Sequence, residues 1–278
     1  MSIACRSLIV AFLIPAAVLV ADPARAGAVI TLKVSGSQVG PQTHTLQVSE
    51  NNLRMDLAQG VSVYDVATDT TRYYDHRTRT YYEITPADAA TIQAGIQVMR
   101  QQLQAQMANM PEAQRRQVEA LLGQQGAQDA TPADVTFRKM GRSQQVGQWT
   151  CEMYERIAGG TRNAELCLAP TGAVGLTAGD LKAIGSMSRA MSRMTGPGSG
   201  AGQGAQSFDP DSLSKAVGFS AFPVQTTVYL GGKPAMTTTV ASVDRRDLPP
   251  STFAGPADYA RQTLGGAIGG AMGGAPKR

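Results

Sequence analysis

Few residues in this chain have side chains suited to chemistry. Its 278 residues include two histidines, three cysteines and one tryptophan, with 25 Lys+Arg against 21 Asp+Glu. Two histidines are little material for a multi-histidine metal site or a His-based catalytic set. No Gly-x-Ser-x-Gly elbow offers a nucleophile. His44 follows Thr43 in a strand-like run, and His76 lies in a turn between Asp75 and Arg77. No catalytic residue, metal ligand or cofactor site is expected, and the chain is read as not an enzyme.

The cysteines depend on compartment. Cys5 sits in a segment with the three parts of an export signal: Arg6 as a positive start, an apolar run from Leu8 to Val20, and Ala24-Arg25-Ala26 before Gly27. The run is shorter than the roughly 20 residues a membrane-spanning helix needs. Cleavage after Ala26 is therefore expected, giving a periplasmic or secreted protein that begins at Gly27. It removes Arg6, Arg25 and Asp22, leaving 23 basic and 20 acidic side chains with no Lys/Arg block. A nucleic-acid footprint needs clustered positive charge, so no nucleic-acid partner is expected. Cys151 and Cys167 remain, and an even pair in an exported chain reads as a disulfide. With Ala158-Gly159-Gly160 as a three-residue turn, the two stand directly opposite on a hairpin. No C-x-x-C spacing lowers a thiol pKa, so the bridge reads as structural rather than redox-active.

Methionines and tyrosines are the other notable side chains. Met99, Met107 and Met110 stripe one helical stretch, and Met187, Met191 and Met194 another. Such stripes serve as core packing, or as a plastic apolar lining for acyl chains and varied apolar partners. Soft-metal binding is a third reading, opposed by the interleaved Arg189 and Arg193 and the lack of histidine. The contacts expected for an apolar ligand are Ile96, Met99, Leu103, Met107, Ile184, Met187 and Met191. Tyr64, Tyr73, Tyr74, Tyr81 and Tyr82 concentrate in one region, where aromatic cross-strand packing is the default.

These residues are carried by two kinds of element. Ile30, Leu32 and Val34 alternate with polar neighbours, as do Leu46 and Val48, then Leu53, Met55 and Leu57, and Val61 with Val63. Period-two alternation predicts antiparallel strands with one dry face. Arg72–Tyr74 and Thr80–Ile84 form a hairpin turned at Asp75-His76-Arg77-Thr78. At Pro86 the period changes: Ile92, Ile96, Met99, Leu103, Met107 and Met110 predict an amphipathic helix capped by Thr85. Pro111 starts a second helix with Val118, Leu121 and Leu122. Strands resume at Val135–Met140, Trp149–Ile157 and Ala164–Ala169, and a third helix runs from Ala178 to Met194. Thr195–Ser207 reads as a flexible loop. A last hairpin, Phe222–Leu230 with Ala235–Val243, turns at Gly231-Gly232, and Phe253 and Tyr259 pack down the Pro-rich stretch after Leu248. From Gly265 the chain is glycine-rich, at a small-xxx-small spacing too short to span a membrane. A tail is expected there, with peripheral envelope contact as its alternative role.

Four loose motifs then carry a resemblance: Asp75, Thr78, Tyr81 and Tyr82; Gly147, Trp149, Cys151 and Tyr154; Glu165 with Cys167; and Phe253, Gly255, Pro256 and Tyr259. In this order the chain resembles an uncharacterised family of exported bacterial proteins related to the LolA/LolB/RseB lipoprotein-carrier superfold. The resemblance implies an α+β fold, a curved antiparallel sheet (an open half-barrel of about eleven strands) with helices on its concave face. It also implies an apolar hollow that holds acyl chains or lipoproteins. The helical insertion at 86–125 and the 195–207 loop are long for a compact carrier, and no motif identifies a transfer partner. The expected organisation is a signal at 1–26, one domain at 27–262 and a tail at 263–278. The expected function is non-catalytic binding of a lipid, an acylated protein or another apolar ligand. The alternative is a structural or protein-interaction component of the envelope.

Overall fold

The computed structural model describes residues 25–37, 40–108, 110–112, 114, 135–195 and 209–265. Among the described residues, twelve strands form one sheet in the order β12-β6-β5-β4-β3-β2-β1-β11-β10-β9-β8-β7. It is open: β12 and β7 stand at its edges and do not pair. The alternating runs become β1 (Arg25–Gly36), β2 (Gln42–Val48), β3 (Asn52–Leu57), β4 (Gly60–Asp65), β5 (Thr70–Asp75) and β6 (Thr80–Ile84), an antiparallel meander. The β5–β6 turn is His76–Arg79, one residue later than the spacing suggests. Asp75 begins it, and its Oδ1 accepts from the backbone N–H groups of Arg77 at 2.7 Å and Thr78 at 3.2 Å.

Helix α1 (Pro86–Ala108) starts where the period changes. Thr85 and Asp88 cap it reciprocally: the Thr85 hydroxyl donates to Asp88 Oδ2 at 2.7 Å, and the Asp88 N–H donates back to Thr85 Oγ1. The expected second helix falls almost wholly outside the described residues, as do most of the 195–207 loop and all but the start of the tail. The chain returns as β7 (Val135–Val146), β8 (Trp149–Ala158) and β9 (Thr161–Pro170), each longer than its apolar run. A short α2 (Thr171–Val174), then α3 (Ala178–Thr195) and α4 (Pro210–Val217) precede the hairpin β10 (Ala221–Leu230) and β11 (Lys233–Leu248). Strand β12 (Ala260–Arg261) pairs parallel to β6. The apolar runs anticipate neither α4 nor β12.

The Cys151–Cys167 disulfide is present, with Cα atoms 5.3 Å apart. It closes a sequence separation of 16 residues, which by loop-closure entropy contributes about 3 kcal/mol. The expected register needs correcting. The turn is the two residues Gly159-Gly160, with φ values of 56° and 74°, the positive pair that a type I′ turn requires. The register then shifts between Arg156 and Ile157, so Cys167 stands opposite Met153 and the bridge runs diagonally to Cys151.

Three apolar clusters among the described residues hold the fold. The largest joins Ala28, Ile30, Leu46, Val48, Leu53 and Tyr64 of β1–β4 to Leu181, Ala183 and Ile184 of α3. The second joins Tyr154, Leu166 and Leu168 to Leu213 of α4. In the third, Phe253 and Tyr259 pack on Val61, Val63 and Tyr74, as expected. A Cβ added at Gly255 would land on the Tyr74 ring, so only glycine permits that approach.

Candidate functional site

Antiparallel pairing lines up residues that share a sheet face, so the exposure of the α3-covered face can be read row by row. One row is Ala28, Val48, Leu53, Tyr64 and Thr71, and all five are buried. The next is Ile30, Leu46, Met55, Ser62, Tyr73 and Tyr82. Its first two members are buried and the other four only half-buried. Further along β1 and β2 come Leu32 opposite His44, both half-buried, and then Val34 opposite an exposed Gln42. Burial thus falls along β1 and β2 from Ala28 and Val48 toward Val34 and Gln42, with Leu32 and Met55 half-buried at the margin of the core.

Helix α3 is anchored at both ends. At its start, Thr177 donates its backbone N–H and its hydroxyl to Asp180 Oδ2, each at 2.8 Å, and Arg245 pairs with the same fully buried carboxylate. At its end, Arg193 pairs with Asp69, whose Oδ1 accepts from the Tyr64 hydroxyl at 2.8 Å. Burial, then the Asp69 hydrogen bond, pushes the Tyr64 pKa well up. Gln93 of α1 donates to the Arg193 carbonyl at 2.5 Å. Where β5, β6, α1 and α3 meet, a crevice lined by Asp69, Thr71, Ile84, Pro86, Ala190 and Arg193 has a cavity volume of about 10 Å³. That is room for about one water molecule, so the crevice alone does not house an acyl chain.

The seven expected contact residues separate into groups. Ile184 is buried in the core, Met187 packs against it, and Met191 is half-buried. These three form α3's inner stripe on the sheet. On α1, Met107 is half-buried, while the side chains of Ile96, Met99 and Leu103 lie outside the described residues. Ala89 is buried near the start of α1, and Val98 further along is 54% exposed. Most of the α1 stripe therefore lies outside the described residues, while α1 itself packs against α3.

The tyrosines pair as expected across β5 and β6. The Tyr73 and Tyr82 ring centroids are 5.5 Å apart and those of Tyr74 and Tyr81 5.2 Å. Burial pushes the pKa values of Tyr73, Tyr74 and Tyr82 up. His76 is an exposed turn residue whose Nδ1 lies 2.6 Å from the Tyr259 hydroxyl. Among the described residues, no group of three or more His, Cys, Asp or Glu is placed to hold a metal ion.

One residue that the sequence patterns do not single out is Arg156. The hairpin around it is rich in ion pairs: Arg138–Glu155, Lys139–Glu152, Arg142–Glu165 and Arg162–Glu165. The Arg156 side chain is half-buried, and among the described residues it has no ion-pair or side-chain hydrogen-bond partner. Desolvation alone moves its pKa, and moves it down. Its sequence context, a cation in an alternating strand, carries no signal of this; only the register does.

These features define an α+β protein with a large open, mostly antiparallel sheet, a Cys151–Cys167 disulfide and a partly covered apolar face. The chain belongs to the family described as Domain of unknown function (DUF4412), matched over residues 75–259. No curated protein matches it. Among solved structures it is similar to an uncharacterised conserved protein from Thermus thermophilus, at 9% identity and a TM-score of 0.43. That match covers 86% of this chain and 91% of the other. It is also similar to PNGF-II in space group C2, at 6% identity and a TM-score of 0.35 over 87% of this chain. This match spans 32% of PNGF-II. No helix among the described residues is long and apolar enough to cross a membrane.

Proposed function

We propose that this protein is a non-catalytic periplasmic binding protein for a lipid, an acylated protein or another apolar ligand. In this reading the sheet is a half-barrel of the LolA/LolB/RseB type, with α3 and α4 on its concave side, and export follows cleavage after Ala26. The observation that carries the reading is the gradient of burial across the α3 face. Leu32, Val34 and Met55 continue the apolar side of the sheet where burial is only partial, Leu32 and Met55 at the margin of the core. A ligand laid along them moves hydrocarbon out of water, at about 0.8 kcal/mol per buried methylene. Met187, at the margin of the core, offers an adaptable side chain to such a ligand.

The second reading, an envelope structural or interaction protein, draws on the burial of Leu181 and Ile184, which turns the inner stripe of α3 into core rather than lining. Titration with the neutral fluorescent probe N-phenyl-1-naphthylamine separates the two. The binding reading expects saturable binding that Leu32→Asp and Met55→Asp each weaken by about tenfold, because a buried carboxylate is costly, with Val98→Asp as an unaffected control. Absence of saturable binding, or equal binding by all variants, favours the interaction reading.

A further inference from the structure

We infer that the ligand is an amphiphile with an acidic head group, and that Arg156 receives the head. This rests on the apolar-ligand reading above and specifies its chemistry. Strand register places Arg156. Arg156 stands between Phe137 of β7 and Ala164 of β9. Ala164 faces Val228 of β10, Val228 faces Met236 of β11, and Met236 faces Gly36 of β1. Opposed residues share a face, and on β1 that face carries Val34, Leu32 and Ile30 at two-residue steps. Arg156 therefore lies on the same side of the sheet as the half-buried apolar surface, four inter-strand spacings or about 19 Å from β1.

The surroundings of Arg156 are apolar. Ala164 and Val228 are buried, and Phe137 packs against the α4 cluster. The carboxylates that flank it in the described strands are committed elsewhere. Glu155 and Glu165, on the alternate face, are held by Arg138, Arg142 and Arg162, and Glu152 is paired with Lys139. A guanidinium presents five N–H donors in a fork that fits a carboxylate or phosphate. Leaving it half-buried without an acceptor is costly, and an anion arriving with the ligand removes that cost. A cation at one end of an apolar row is the arrangement that recognises a charged head followed by a hydrocarbon tail.

The test compares dodecanoate, dodecanol and inorganic phosphate binding to the full mature chain by calorimetry. The expected result is that the unmodified protein binds dodecanoate about tenfold or more tighter than dodecanol, the scale of one charge-assisted contact. Arg156→Gln should remove that preference while leaving dodecanol affinity unchanged, and Arg142→Gln should retain it. Equal affinities for the two amphiphiles in the unmodified protein overturn the inference even if Arg156→Gln does not fold, and leave the apolar-ligand reading standing. A preference that survives Arg156→Gln also overturns it. Phosphate alone displacing dodecanoate at comparable concentration assigns Arg156 to a free anion and overturns the amphiphile. Binding of neither amphiphile overturns the apolar-ligand reading, and the inference with it.

Discussion

Tyr64 shows how much one side chain can tie together. Its ring fills the core beneath α3 while its hydroxyl reaches Asp69, which in turn holds Arg193 at the helix end. Burial raises the pKa values of Tyr64, Tyr73, Tyr74 and Tyr82 above their ordinary 10.0. The folded chain therefore keeps phenolic protons that the unfolded chain releases above about pH 10. Stability is complete below that pH and falls as pH rises further, because the unfolded state binds fewer protons there. Thermal unfolding followed by circular dichroism should show Tm dropping above about pH 10. The drop should be shallower in Tyr64→Phe, which starts lower by about 1 kcal/mol for the lost hydrogen bond. A Tm flat through that range would contradict the assignment. Arg156 is the opposite case, a half-buried charge with no partner among the described residues, and its role is invisible until its neighbours are known.

Among the elements, those with a long periodic signal are legible in the sequence. The helix spacing from Ala178 places α3 within a residue of its observed end, alternation places β1–β4, and the tyrosine-rich hairpin places β5 and β6. Elements with short or irregular signals are not. Helix α4 has a proline start, an Asp209 cap accepting from the Ser212 N–H, and Gly218 after it. Its eight residues carry too few apolar positions to reveal a period. Strand β12 has two residues, and no alternation exists at that length. The cysteine pairing is legible, but its register is not, since the shift beside Arg156 depends on tertiary pairing rather than local composition. The α1 stripe gives the helix but not its surroundings. The mooring of α3 makes a further prediction. Asp180→Ala removes the Thr177 cap contacts and leaves Arg245 without its carboxylate. The expected loss is about 2 kcal/mol in urea unfolding, combining a cap with a buried pair half-broken. A loss under about 0.5 kcal/mol would show that α3 is held by its apolar stripe alone.

For the whole molecule, the design is one long sheet whose apolar side extends further than the helices described on it. Residues of the four recognisable motifs help to hold this architecture together. Asp75 shapes a turn, Tyr81 stacks on Tyr74, Gly255 lets the C-terminal segment approach that ring, and Cys151 and Cys167 brace β8 to β9. This explains why the motifs lead to a fold class and not to a ligand. In the proposed reading, binding falls instead to unremarkable aliphatic, methionine and tyrosine positions at the end of the burial gradient, with Arg156 on the same face. The most direct measurement is native mass spectrometry of the protein released gently from the periplasm. The account predicts a mature chain starting at Gly27 that carries an added mass, removable by organic extraction and restored by an acidic amphiphile. Only the unliganded mass, both before extraction and after exposure to such amphiphiles, would contradict it.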